Sequence, residues 1–396
     1  MPGSLLQVTF LMPPIPTTLR TLYLHFPFCA RICPFCAFAV RKDRPEVHDA
    51  YGAGLLQELR LRLNPAAEPL ALDALYLGGG TPSRMTVAEL ERLFCGLRQE
   101  LTIAPHAEVA FELNPEDVDP NELSGLQALG ITRLSLGVQS FHDETLKRLG
   151  RIHNARQLRK ALEIIQDSGF QNWNLDLMFG VPGQSHAQFL EDLTEAIRWQ
   201  PTHVSLYGLE VHDATPFSRD TEIQSWVEGH HPEVTEMYLA GVERLAVAGL
   251  QQYEVSNFAR LGSVGRQNLR VWDGEPYLGL GTGAHSFVKG SRWGNVRSLQ
   301  RYLGAVNSAT LPEAFREIPD RAQRASEWLM LQLRRLEGID LEAWRDHFAI
   351  VQPLPHGLLE RLHNEGRALW NPPRFRLTPS GFLIADTITA QLLPEE

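Results

Sequence analysis

Six short apolar segments, each followed by a stretch with helical periodicity, constrain this chain more than any other feature. They are Thr21–Phe26, Leu72–Leu77, Glu108–Leu113, Arg133–Val138, Asn174–Phe179 and His203–Val211. Each has few charges, strand length, and Gly, Pro or Asn close behind, the pattern of a buried parallel strand. Between them apolar residues share one helical face: Leu56, Leu59 and Leu63; Leu90, Leu93, Phe94 and Leu97; Leu158, Leu162 and Ile165; Leu190, Leu193 and Ile197. Thr86 with Glu89, Asn154 with Gln157, and Ser185 with Gln188 have capping-box spacing at the helix starts. Strand-then-helix repeated six times implies an α/β fold whose parallel sheet is either a barrel or doubly wound. In both, the site lies at the C-terminal ends of the strands.

Beyond the repeats, a helix through Tyr238, Val242 and Leu245 is stopped by Gly249 and leads to a Gly-rich stretch, Leu278–Gly283. The pattern loosens into a linker at Asn307–Pro319. The remainder reads as helices over Ser326–Leu336, Leu341–Phe348 and Leu358–Asn364, a hairpin pairing Ala368–Trp370 with Phe375–Leu377, and a last helix from Gly381. The expected organisation is an N-terminal segment (1–20), a barrel core (21–225), a barrel extension (226–306) and a small helical, winged C-terminal domain (307–396).

Charge narrows the partners. With 37 Lys and Arg against 47 Asp and Glu, the net charge of −10 argues against nucleic acid or anionic lipid as a ligand. The helix Leu358–Asn364 of the winged part offers phosphates only Arg361. No apolar run approaches the roughly 20 residues of a transmembrane helix. The first 20 residues have no Lys or Arg before Arg20 and are broken by Pro13 and Pro14, unlike a signal peptide. A cytoplasmic protein is expected.

Three of the four cysteines fall close together, as Cys29-x3-Cys33-x2-Cys36 directly after the first strand. Such clustering points to a metal site in a reducing compartment rather than a disulfide framework. Three thiolates from one loop can bind three irons of a cubane cluster and leave the fourth open to a ligand. A zinc site completed by His25, or a group of buried thiols, is the alternative. Cys95 sits off its helix's apolar stripe and reads as structural. After the second strand comes Leu77-Gly78-Gly79-Gly80-Thr81-Pro82-Ser83, where glycines let the backbone approach a ligand closely.

The pairing of this cysteine loop with GGGTPS resembles the radical-SAM superfamily. LYLHFPFC (22–29), FELNPED (111–117), LSLGVQSFHDETLKRLGRIH (134–153), NLDLMFGVPGQ (174–184) and YEVSNFAR (253–260) are similar to one branch of it. That branch contains the oxygen-independent coproporphyrinogen III oxidases and a family of heme chaperones. The resemblance implies a partial (β/α)6 barrel with a 4Fe–4S cluster on Cys29, Cys33 and Cys36. S-adenosylmethionine (SAM) on the open iron would be cleaved by one electron to methionine and a 5′-deoxyadenosyl radical. It also implies that Tyr23 lies near the sulfonium and that Gly79, Gly80 and Thr81 receive the methionine. Glu112 would bond the ribose hydroxyls, with Gln139, Arg151 and Asp176 as further SAM contacts.

Departures from the family pattern choose among its activities. The oxidases read CxxxCxxCxC, whereas Phe38 stands at the last position here; that and the short start resemble the heme chaperones. Those proteins carry an HNxxYW motif implicated in heme binding, replaced here by Gln267-Asn268-Leu269-Arg270-Val271-Trp272. Glutamine is a poor heme-iron ligand, so Asn268, Trp272 and His285 are the remaining heme candidates. The expected function is delivery of heme to an acceptor protein. A porphyrinogen oxidase and a radical-SAM methyltransferase are the alternatives.

Overall fold

Strand order separates a curled sheet from a doubly wound one. The computed structural model describes residues 19–63 and 70–393; most of the expected N-terminal segment therefore lies outside the described residues. Six strands lie side by side in sequence order, each parallel to the next: β1 (Thr21–Phe26), β2 (Leu70–Gly79), β3 (Leu101–Leu113), β4 (Arg133–Gln139), β5 (Trp173–Phe179) and β6 (His203–Gly208). Right-handed crossovers that never reverse direction put every helix on one face, and the sheet curls around the other. The doubly wound alternative needs a reversal of order that is absent from β1 to β6. Leu278–Leu280 extends the sheet in parallel beside β1, and Asn257–Ala259 and Gln251–Gln252 add antiparallel strands beyond β6.

Outward-facing residues of the strands meet the helices α1 (His48–Arg62), α2 (Val87–Glu100), α3 (Pro120–Leu129), α4 (Ala155–Asp167), α5 (His186–Arg198) and α6 (His231–Val247). Two of the expected stripes are fully buried, Leu90, Leu93, Phe94 and Leu97 of α2 and Leu158, Leu162 and Ile165 of α4, while Leu56, Leu63, Leu190 and Ile197 of the other two are partly buried against the core. Each fully buried side chain contributes about 2 kcal/mol. All three expected capping boxes form, at Thr86, Asn154 and Ser185. A fourth, Asp320 with Gln323, starts the helix Arg321–Gln332 five residues before the expected Ser326.

Two further layers complete the chain. His285–Val288, Ser291–Asn295 and Glu313–Glu317 form an antiparallel sheet, so the expected linker contains a strand. Four of that strand's five residues are exposed, which left no apolar alternation to read. Near the C-terminus, Ile339–Asp340, Arg374–Leu377 and Ala368–Asn371 make a small sheet among the helices Leu341–His347, His356–Asn364 and Ala385–Leu392. No helix among the described residues is long and apolar enough to cross a membrane.

The antiparallel sheet is bolted to the barrel through one carboxylate. Glu58 of α1 is fully buried, and its Oε1 accepts from Arg62 Nε at 2.9 Å and Asn295 Nδ2 at 2.8 Å. Its Oε2 accepts from Gly281 N–H and Tyr302 Oη–H, both at 2.9 Å. Arg62 continues to Asn295 Oδ1 at 3.0 Å and Glu313 Oε1 at 2.9 Å. Removing one partner of such a buried pair strands the other. Glu58→Ala is therefore expected to lose roughly 3–5 kcal/mol in urea unfolding. The double replacement Glu58→Met with Arg62→Leu recovers only the part owed to the stranded Arg62 charge, since Gly281 N–H, Tyr302 Oη–H and Asn295 Nδ2 still lack their acceptor. A single-variant loss under about 1 kcal/mol would show the network to be ornamental.

Candidate functional site

Along β3 to β6 the residues alternate in a way that empties the barrel. Val109 and Phe111, Leu134 and Leu136, Leu175 and Leu177, and Val204 and Leu206 are buried against the helices. The intervening residues line a cavity of about 550 Å3: Glu108 and Glu112, Arg133 and Ser135, Asn174 and Asp176, His203, Ser205 and Tyr207. Successive strand residues face opposite sides, so a polar series with period two becomes a polar lumen. The cysteine loop and the Gly turn form its mouth.

The cysteine loop is held from several sides. Arg41 N–H donates to Pro27 O at 2.7 Å and Asp43 N–H to Cys29 O at 2.8 Å, closing its base. Arg297, from the distant antiparallel sheet's flank, donates to Ala37 O at 2.7 Å and Phe38 O at 2.9 Å. Cys29, Cys33 and Cys36 are free thiols on the cavity wall. Burial pushes the Cys29 thiol up to about 12 and raises Cys36, so both are neutral until a metal displaces the proton. Thr81 Oγ–H points at Cys29 Sγ (3.7 Å) and Arg151 at Cys33 Sγ (3.6 Å), donors of the kind that stabilise cluster thiolates.

His25 takes no part in a zinc site. Its Nε2–H donates to Ala39 O at 3.1 Å, and its Nδ1 accepts from Tyr23 Oη–H at 3.0 Å. Burial lowers its pKa to about 4, so the ring is neutral with both nitrogens occupied.

The Gly turn at the end of β2 sits against this loop with no room for side chains. Gly79 has φ of 102°, and a Cβ there would lie 2.2 Å from His25 Nδ1 and 2.7 Å from the Tyr23 hydroxyl. A Cβ on Gly80 would lie 2.4 Å from Phe26 O. Tyr23 thus stands behind the turn and is not itself on the cavity wall, whereas Gly79, Gly80 and Thr81 are.

Glu112, on the neighbouring strand β3, lies directly beside the turn. It accepts from Tyr76 Oη–H at 2.7 Å and Gly79 N–H at 2.9 Å, and burial lifts its pKa to about 7. Arg151 donates to Asn114 Oδ1 and to Gly137 O, and Asn114 Nδ2 donates to Thr81 Oγ1 at 3.0 Å. Deeper in, Asp176 accepts from Asn174 Nδ2 at 2.8 Å and Ser135 Oγ–H at 3.2 Å. Asn174 Oδ1 accepts from His203 Nδ1–H at 2.7 Å, and His203 Nε2 accepts from Tyr253 Oη–H at 2.8 Å. Three buried polar atoms of the wall, Gln139 Oε1, Arg151 Nε and, on the floor, Gln267 Oε1, have no protein partner. A ligand carrying both donors and an acidic group would satisfy them.

The structure therefore brings Cys29, Cys33, Cys36, Gly79, Gly80, Thr81, Glu112, Gln139, Arg151 and Asp176 to one cavity. Of the heme candidates, only Asn268 lines it, beside Gln267 on the helix Arg266–Trp272 that floors the barrel. Trp272 ends that helix away from the cavity, its carbonyl accepting from Gln332 Nε2 at 2.8 Å. His285 is exposed on the antiparallel sheet, 5.6 Å from the Phe315 ring. Sequence reasoning missed Tyr76, Asn114, Ser135, Asn174, His203 and Tyr207. The signal that would have found most of them is the polar alternation.

Comparison with known proteins agrees with the geometry. The radical-SAM superfamily model matches residues 23–196. The heme chaperone HemW of Haemophilus influenzae is 30% identical over 97% of this chain and 100% of its own length. HemW of Synechocystis is 35% identical over 91% of this chain and 87% of its own. The solved coproporphyrinogen III oxidase (HemN) of Escherichia coli, a radical-SAM enzyme, superposes with a TM-score of 0.80 at 22% identity, covering 95% and 91% of the two chains, which shows a shared fold. By sequence over nearly its whole length, this chain belongs to the HemW family of the radical-SAM superfamily.

Proposed function

We propose that this chain is a cytoplasmic heme chaperone that holds a 4Fe–4S cluster on Cys29, Cys33 and Cys36, binds SAM in the adjoining lumen, and passes heme to an acceptor protein. The observation that supports this reading best is the juxtaposition of three free thiols with a polar lumen, in a chain whose relatives over most of its length are named heme chaperones. The donor set suits the group: three soft thiolates for iron, and no fourth cysteine in the loop. When bound, the cluster supplies the single electron that reductive cleavage of SAM requires.

The chain's own residues do the rest. Glu112 and Asp176 accept hydroxyl donors, and Arg151 meets a carboxylate with its free Nε. The Gly turn presents backbone at short range. A ligand seated in the lumen would displace water from the reacting atoms. Phe38, 66% exposed at the mouth, stands where the oxidases carry another cysteine.

Anaerobic reconstitution with iron, sulfide, SAM, a reductant and coproporphyrinogen III separates chaperone from oxidase. An intact cluster with no protoporphyrinogen, together with a Soret shift on heme titration, is expected. Protoporphyrinogen formed at turnover would instead make the protein an oxidase, and methyl transfer would make it a methyltransferase. Gly80→Ala tests the turn. Because the added Cβ collides with Phe26 O, SAM affinity is expected to fall at least ~10-fold, a loss of about 1.4 kcal/mol. Unchanged affinity in equilibrium dialysis would remove the Gly turn from the site.

A further inference from the structure

The turn that carries Gln139 is not what strand β4 alone would adopt. Ser140 N–H donates back to Val138 O at 2.8 Å, and Gln139 between them has φ of 60°. A γ-turn about a non-glycine residue at positive φ is rare and strained. The pairing of β4 with β5 also shifts register between Gly137 and Gln139, as at a bulge. The consequence is that Gln139, only 9% exposed, reaches the cavity wall with its Oε1 accepting nothing.

A strained turn persists only if its surroundings over-determine it. Here the clamp is Asp192 of α5, which is 1% exposed and does not line the cavity. Its Oδ1 accepts from Phe141 N–H at 2.6 Å, and its Oδ2 accepts from Ser140 Oγ–H at 2.7 Å. Ser140 Oγ accepts from His142 N–H at 3.1 Å, and Gln184 Nε2 reaches Asp192 Oδ2 at 3.5 Å. His142 Nε2 lies 3.9 Å from Asp192 Oδ1 and 3.3 Å from Glu191 Oε2. A carboxylate fixed by this many donors leaves the backbone at 140 and 141 little freedom.

We propose that Asp192 is a positioning residue for SAM: by clamping Ser140 and Phe141 it maintains the γ-turn that aims Gln139 Oε1 at a donor group of the bound cofactor. This rests on the reading of the lumen as the SAM site. Released from the clamp, the segment relaxes toward ordinary strand, where a change of one residue in register carries the side chain to the other face. Burial pushes the Asp192 carboxyl up to about 6. Protonation puts a hydrogen on one oxygen and weakens its acceptance from Ser140 or Phe141, so the clamp is tightest above that pH and loosens as pH falls through it.

The test is a double-mutant cycle on the reconstituted full chain, reading the SAM dissociation constant by equilibrium dialysis at pH 7.5. Asp192→Asn and Gln139→Ala are each expected to weaken SAM roughly tenfold, with iron content and thermal midpoint near wild type. Because Asp192 acts through Gln139, the double variant is expected to be no weaker than Gln139→Ala alone. Additive losses, or wild-type affinity in Asp192→Asn, overturn the proposal. Ser140→Ala, which removes one arm of the clamp, gives the same reading should Asp192→Asn fail to fold. The fall in affinity as pH drops through about 6 is expected to shrink in Asp192→Asn to the part owed to Glu112, lifted to about 7, and to be unchanged in His142→Gln; a fall unchanged in Asp192→Asn, or one that disappears with His142, overturns the clamp. Failure of the wild type to bind SAM would instead refute the cofactor reading itself.

Discussion

The buried Glu58 carboxylate is the constraint on which the arrangement around the site depends. It lies on the first crossover helix, yet two of its four partners, Gly281 and Asn295, belong to the segment that runs from the sheet's outer strand into the antiparallel sheet. Through it, the segment 278–297 is locked beside β1, and Arg297 can then grip the carbonyls of Ala37 and Phe38. A charge buried this deeply is tolerated because hydrogen bonds fill both of its oxygens and Arg62 offsets its sign. The cysteine loop is thus braced by residues about 260 positions away in sequence.

The lumen shows the same principle at larger scale. A parallel barrel filled by apolar side chains is a packed core. Here the inner face of β3 to β6 carries carboxylates, an arginine, a histidine and amides, so water or a ligand must occupy the space. Most of these groups satisfy one another in a chain from Tyr253 through His203 and Asn174 to Asp176. The exceptions are Gln139 Oε1 and Arg151 Nε, which a bound cofactor would complete, and Gln267 Oε1 on the floor. Strain at Gln139 belongs to the same economy of design: a site holds unfavourable local geometry where binding uses it.

The sequence and the fold speak to different parts of this. Strand and helix alternation, three capping boxes and the Cys29–Cys36 and Gly78–Gly80 motifs are local signals, and each was legible because it depends on neighbours within a few residues. The strand Glu313–Glu317 was not, since an exposed edge strand has no apolar period and exists only because Ser291–Asn295 lies alongside it. The heme candidates illustrate the limit as well. Asn268, Trp272 and His285 are close in sequence, but the helix Arg266–Trp272 turns Asn268 into the lumen and leaves Trp272 outside it, and His285 lies on a separate sheet.

By itself the sequence determined the class of fold, the cysteine loop, the Gly turn and the family, because motifs and periodicity are written in adjacent residues. Tertiary structure alone decided that His25 is spent on Ala39 and Tyr23, and that Asn114 bridges Arg151 and Thr81. It alone showed that Asp192, 53 residues beyond Gln139, holds the turn that carries it. These outcomes depend on which long-range partners meet when the strands close, and hydrogen bonds between residues distant in the chain leave no periodic trace in it.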